Sequence, residues 1–328
     1  MRRNRLLTAL LALAAIGAAA LVFVIFSGRP ARDVTFFLTS DTHYGLSPSV
    51  GEANAKTVDA MNRLPGTAFP GEIGGKVGTP RGVAVLGDLV SDAGAPDGLV
   101  QWQRFSAEFG VAGEGRLRSP VYELPGNHDG GDGGVVRGGI LARNARRPGL
   151  KGAAANGISY SWDWDDVHFV SLGLFAGSEG EAVVNPWGRR FEGTWRLPGH
   201  SLEFLKEDLA RNVGASGRPV VLLQHYGFDI WGMGWWSENE RRALAGAIKG
   251  YNVIAVFWGH SHVVMRVDLD GLPTFCVGSA QSDPLPGSFL VVRIKGKHMD
   301  VAERKTDGWG YVARVKFGVG PSQVTDRK

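Results

Sequence analysis

Five times along the chain a short apolar run, rich in β-branched and aromatic residues, stops abruptly at a small polar cluster. Residues 34–39 end at Ser40-Asp41-Thr42-His43, residues 82–86 at Gly87-Asp88, and residues 120–124 at Pro125-Gly126-Asn127-His128-Asp129. Residues 219–223 end at Gln224-His225, and residues 253–258 at Gly259-His260-Ser261-His262. Runs of this length and composition read as buried strands. Between them, residues 52–64, 99–109, 201–213 and 238–249 carry helical spacing, with Ser201 placed to cap its helix and Leu202, Leu205 and Leu209 on one face. The alternation of strand, polar loop and helix predicts an α/β fold, in which ligand sites lie at the carboxyl ends of strands. Every one of the five clusters falls at such an end.

Residues 158–164 and 167–172 read as a strand pair around the Asp165-Asp166 turn. From Val263 onward the pattern is one of successive antiparallel strands at 263–268, 273–277, 288–295, 298–305 and 310–317. The expectation is an α/β-type sandwich whose second sheet is mostly antiparallel. Residues 130–156, rich in Gly and Arg, give no readable pattern. No linker divides residues 32–317, so the predicted organisation is a leader at 1–31, one catalytic domain at 32–318 and a loose tail at 319–328. The high glycine content, 48 of 328 residues without a Gly-X-Y period, implies many tight loops. The lone Cys276 excludes an intramolecular disulfide and a thiolate-rich zinc site.

The formal charge of +4 suggests a nucleic-acid binder until it is located. Arg2, Arg3, Arg5 and Arg29 lie in the first thirty residues, which contain no acid; removing those four leaves 32 basic against 32 acidic residues. A neutral body offers no basic footprint for a phosphate backbone, so no nucleic-acid surface is expected. After the first three arginines, residues 6–27 form 22 uncharged positions, about 33 Å as a helix and enough to span a hydrocarbon core of about 30 Å. A cut after the small Ala18-Ala19-Ala20 cluster would leave an apolar new terminus, which favours an uncleaved signal anchor over a cleaved signal peptide. The basic N-terminus then stays in the cytoplasm and the body faces outward. Cleavage would instead give a secreted or periplasmic protein.

The clusters supply carboxylates, an amide oxygen and imidazoles, a mixed N/O set suited to two neighbouring cations of the Mn, Fe or Zn type. Two such ions can clamp the attacking and leaving oxygens of an in-line displacement at phosphorus. A Gly before Asp88, Asn127 and His260 is expected to let the backbone turn sharply between strand and ligand. The series Asp-x-His, Gly-Asp, Gly-Asn-His-Asp, His and Gly-His-x-His resembles the calcineurin-like metallophosphoesterase superfamily over residues 34 to at least 305. That resemblance implies a four-layer α/β/β/α sandwich of two mixed sheets. It also implies a metal at Asp41, His43 and His262, another at Asn127, His225 and His260, and Asp88 bridging them. A metal-bridging hydroxide would attack the phosphate ester, with His128 stabilising charge and protonating the leaving oxygen. Many members orient that histidine with an Asp three residues after the bridging aspartate; here Ser91 stands there, leaving Asp92 or Asp129 as the partner of His128. In purple acid phosphatases a tyrosine ligand stands at that position, so Ser91 argues against a ferric–tyrosinate centre.

The substrate expected is a small-molecule or lipid-head-group phosphate ester. Trp231, Trp235 and Trp236 are either a wall for a ring-shaped leaving group or packing of a loop. Arg189, Arg190 and His200 are further positions for substrate contact, whereas His168 and His298 sit in strand patterns. The alternative from another class is a non-catalytic binding module on the same fold.

Overall fold

A computed structural model describes residues 32–179, 183–184, 190–191, 193–281, 287–306, 308–318 and 323–326. The first sheet holds β1 (Asp33–Thr39), β2 (Val83–Leu86) and β3 (Val121–Leu124), which pair in parallel. The second holds β4 (Leu150–Ala153), β5 (Tyr160–Trp164) and β6 (Val167–Ser171), with a separate small hairpin of β7 (Val183–Val184) and β8 (Arg190–Phe191). β9 (Val220–Leu223), β10 (Val253–Trp258), β11 (Met265–Leu269) and β12 (Leu272–Cys276) complete it. β13 (Ser288–Lys295), β14 (His298–Lys305), β15 (Trp309–Lys316) and β16 (Gln323–Asp326) return to the first sheet. The orders are β16-β15-β14-β13-β1-β2-β3 and β11-β12-β10-β9-β6-β5-β4.

Side-chain alternation builds the layers. Phe36 and Leu38 of β1, Trp162 of β5, Phe169 of β6 and Phe257 of β10 fill the space between the sheets. Phe37, Val83, Val85 and Val121 face the other way, onto α1 (Pro48–Arg63), α2 (Gly98–Glu108) and α3 (Val135–Asn144). Val170, Leu222 and Val256 likewise turn onto α4 (Ser201–Asp208) and α5 (Glu238–Ile248). The result is the four-layer α/β/β/α sandwich of two mixed sheets.

Several expectations need correction. The second sheet is mixed rather than mostly antiparallel: β6, β9, β10 and β12 run parallel, with antiparallel strands only at its edges. The antiparallel strands β13 to β16 extend the first sheet, because β13 pairs with β1. The unreadable segment contains α3 and β4. Its helical stripe is partly arginine: Arg137 and Arg143 are buried beside Val136 and Ile140, and Arg143 is neutralised by Glu123 of β3 at 2.8 Å. Ser201 does not cap α4. His200 takes the cap position with φ of 54°, and Ser201 Oγ donates to Phe175 O at 2.7 Å. Within the stretch read as a loose tail, Gln323–Asp326 pairs with β15. The expected anchor at residues 1–31 lies outside the described residues, and among the described residues no helix is long and apolar enough to cross a membrane.

Candidate metal centre

The carboxyl ends of β1, β2 and β3 from one sheet and of β9 and β10 from the other meet at one pole. Five of the residues set there have left-handed backbone: Asp41 (φ 51°), His43 (42°), Asp88 (50°), His260 (72°) and His262 (59°). Each costs roughly 1 kcal/mol, a concentration of backbone strain of the kind found at ligand clamps. The surroundings over-determine it. Asp41 N–H donates to Gly87 O (2.9 Å) and His43 N–H to Asp88 O (3.0 Å), while Asn54 Nδ2 holds Thr42 O at 2.7 Å. Of the three glycines expected to turn the chain, only Gly87 has a positive φ, of 89°. Gly126 is extended and serves close approach instead, since a Cβ there would stand 2.1 Å from Asp88 Oδ1. The ligand residues themselves make the turns.

Ligand atoms gather into three groups: Asp41, His43 and His262; His43, Asp88 and His128; and Asp88, His225 and His260, each within 4.8 Å. Asn127 Oδ1 joins the last, 3.0 Å from His225 Nε2 and 3.1 Å from His260 Nδ1. Asp88 lies between the groups, its Oδ2 3.8 Å from His43 Nε2 and 3.4 Å from His225 Nε2. Its Oδ1 accepts His128 N–H at 2.9 Å. All seven residues expected as ligands are therefore brought together, with His128 beside them.

Their hydrogen bonding is incomplete in a way that fits cations. The His225 Nδ1–H is committed to Leu86 O at 2.8 Å, so its Nε2 confronts two acceptors, Asn127 Oδ1 and Asp88 Oδ2. Only a proton or a cation reconciles three lone pairs at that spacing. Without metal, burial disfavours the imidazolium, but Asp88 and Asp41 outweigh it and push the His225 pKa up to about 9. His43 Nε2 and His262 Nε2 meet at 3.2 Å, and Asp41 Oδ1 is buried without a hydrogen bond, 3.4 Å from His262 Nε2. Burial together with the nearby His225 drops His260 to about 3, keeping it a neutral ligand. Asp88 is fully desolvated, yet His225 and His43 hold its carboxyl well below the usual range.

The partner of His128 is neither carboxylate. Its Nδ1–H donates to the Ser91 carbonyl at 2.7 Å. Asp129 is occupied by the backbone N–H groups of Leu89, Val90 and Gly126 at 2.7–3.1 Å, although burial and Asp88 push it up to about 7. Asp92 caps Gly94 N–H at 2.8 Å.

The residues considered around the site separate clearly. Trp236 is fully buried in the core and Trp231 is exposed, while Trp235 packs on Tyr226 and His260. Trp195, which sequence reasoning did not single out, lies 5.4 Å from the His128 ring. His200 is exposed beside Glu203. Arg189, and the side chain of Arg190, lie outside the described residues. A cavity of about 770 Å³ lies elsewhere, lined by Arg32, Asp33, Arg81, Asp163, Asp166 and Arg218 among others. Its charges pair internally, as in Arg81–Asp165 and Arg218–Asp163, so it lacks the unsatisfied lone pairs of the metal pole.

Among solved structures, GAP50, the anchor in the inner membrane complex of Plasmodium, aligns at 13% identity and a TM-score of 0.50, covering 88% of this chain and 90% of that one. Zinc-complexed Vps29 from Entamoeba histolytica aligns at 14% identity, covering 87% and 100%, with a TM-score of 0.36. Phosphopantetheinyl hydrolase from Mycobacterium tuberculosis aligns at 13%, covering 76% and 92%, also at 0.36. A comparison with curated proteins finds no match. The model of the calcineurin-like phosphoesterase family matches residues 34–264, a span that begins in β1 and takes in all seven expected ligands and His128, and the chain belongs to that family.

Proposed function

We propose that this chain hydrolyses a phosphate ester at a centre of two divalent or trivalent cations of the Mn, Fe or Zn type. Asp41, His43 and His262 would hold one and Asn127, His225 and His260 the other, with Asp88 shared. Bound there, the ions would polarise phosphoryl oxygens and lower the pKa of water. The observation that carries the reading is the set of lone pairs facing one another across Asp88. His128 supplies the proton chemistry. Its Nδ1–H is tied to a carbonyl, which orients the ring and leaves Nε2 for substrate; as an imidazolium, that nitrogen donates a proton to the departing oxygen as the P–O bond breaks.

Phosphate release from p-nitrophenyl phosphate and bis(p-nitrophenyl) phosphate by Mn-loaded protein tests the reading and separates monoester from diester preference. Hydrolysis at least about 100-fold above His128→Ala is the expected result. Bound metal with no hydrolysis above that variant would overturn it and favour the non-catalytic binding module. We further propose that the leader anchors the domain at a membrane, outside the cytoplasm. Resistance to alkaline carbonate extraction is the expected result, and release as a soluble, shortened chain would favour cleavage.

A further inference from the structure

Resting on that hydrolytic reading, we propose that Trp195 is the surface on which the leaving group packs, so that the site selects phosphate esters of alcohols carrying a flat aromatic ring. Trp195 lies in the short turn Gly193–Arg196, which packs against the Asn127–Asp129 turn bearing His128. Its ring is 5.4 Å from that of His128 at 45°. A proton donor to the departing oxygen must sit next to the departing group, so a partly exposed ring packed against His128 lies beside that group. Trp195 is 37% exposed, whereas its neighbour Trp235 is 8% exposed.

The ring is held from behind. Trp235 lies 5.2 Å away and stacks on Tyr226 at 5.6 Å and 14°. Tyr226 meets His260 edge-on at 4.9 Å, and its hydroxyl donates to Trp195 O at 2.6 Å. Arg196 pins the same turn through a buried ion pair with Glu240 at 2.6 Å and by lying 5.1 Å over Phe175. A series of aromatic contacts thus runs from the metal-pole residue His260 to Trp195 and closes on His128. A planar surface fixed in this way favours a ring at offset-stacking distance over a flexible chain, which would lose conformational freedom on one flat face.

The test compares 2-naphthylmethyl phosphate with cyclohexylmethyl phosphate, two primary-alcohol esters of similar intrinsic reactivity, using full-length Mn-loaded protein. The wild type is expected to favour the naphthyl ester in kcat/KM. Trp195→Ala should lower that preference roughly 3- to 10-fold, and Trp195→Phe should restore most of it, with metal content equal in all three. Calorimetric binding of the matching phosphonates gives a readout independent of turnover. A naphthyl preference unchanged by Trp195→Ala, in kinetics and in binding, overturns the inference, as does a wild type with no preference. Discrimination in binding without turnover of any ester sustains the inference about Trp195 and sinks the hydrolytic reading instead.

Discussion

Two histidine–aspartate clusters occupy opposite poles of the paired sheets, and they are built by opposite rules. At the far pole, His168 stands at the start of β6, opposite Val220 at the start of β9. Its Nδ1 meets Asp163 at 2.7 Å and its Nε2 meets Asp208 at 2.6 Å. Asp208 also accepts from Ser161 and Asn212, and Asp163 from Arg218. Donors and acceptors alternate throughout, and the backbone there is ordinary strand at Asp163 and His168 and ordinary helix at Asp208. At the near pole the imidazoles and carboxylates face one another lone pair to lone pair, on strained turns. A histidine–carboxylate cluster is structural when alternating donors and acceptors satisfy it, and metal-type when its converging lone pairs outnumber the donors set among them.

The largest effect should come from the near pole. Asp88→Asn removes the carboxylate shared by both groups and should cost on the order of 10³-fold in phosphate release, with bound metal falling below two ions per chain by elemental analysis. A variant retaining full activity would break the contrast. At the far pole, His168→Ala should instead cost about 3–5 kcal/mol of stability, because it takes the imidazolium away from the buried Asp208 carboxylate, which then keeps only the neutral donors Ser161 and Asn212. Urea unfolding measures this; metal content should be unaltered.

The far pole also makes a pH prediction. Burial opposes the His168 imidazolium, but the two carboxylates outweigh that and raise its pKa above the usual value. Its stabilisation is therefore complete below the unfolded pKa of about 6.5 and is lost as pH rises through the folded value. Metal-free wild type should lose stability relative to His168→Ala over that window above pH 6.5. His225, raised in the metal-free chain and common to both proteins, drops out of the difference. A flat difference would contradict the account.

The smallest effects concern His128. Since the Ser91 carbonyl, not its hydroxyl, holds the ring, Ser91→Ala and Asp92→Asn should each change kcat/KM by less than about 3-fold. Iron-loaded protein should also show no tyrosinate charge-transfer band, because Ser91 stands where that ligand would be.

These contrasts explain what could be read from the sequence. Asp41, His43, Asp88, Asn127, His225, His260 and His262 were legible because each follows an apolar strand, and strand ends on one side of a sheet converge. α3 was not, because Arg137 and Arg143 occupy positions where periodicity looks for apolar side chains, and Arg143 is tolerated there through Glu123, twenty residues away, and the Phe109 carbonyl. The acceptor for His128 was illegible for another reason: a backbone carbonyl has no residue identity. Trp195 lies outside any regular pattern and reaches the site only through the tertiary packing of its turn.

The most direct test of the contrast is an anomalous-scattering map of Mn- or Zn-saturated crystals. Two peaks are expected, one within reach of Asp41, His43 and His262 and one within reach of Asn127, His225 and His260, both beside Asp88. No peak at that pole at saturating metal, or a peak at His168 instead, would contradict the account.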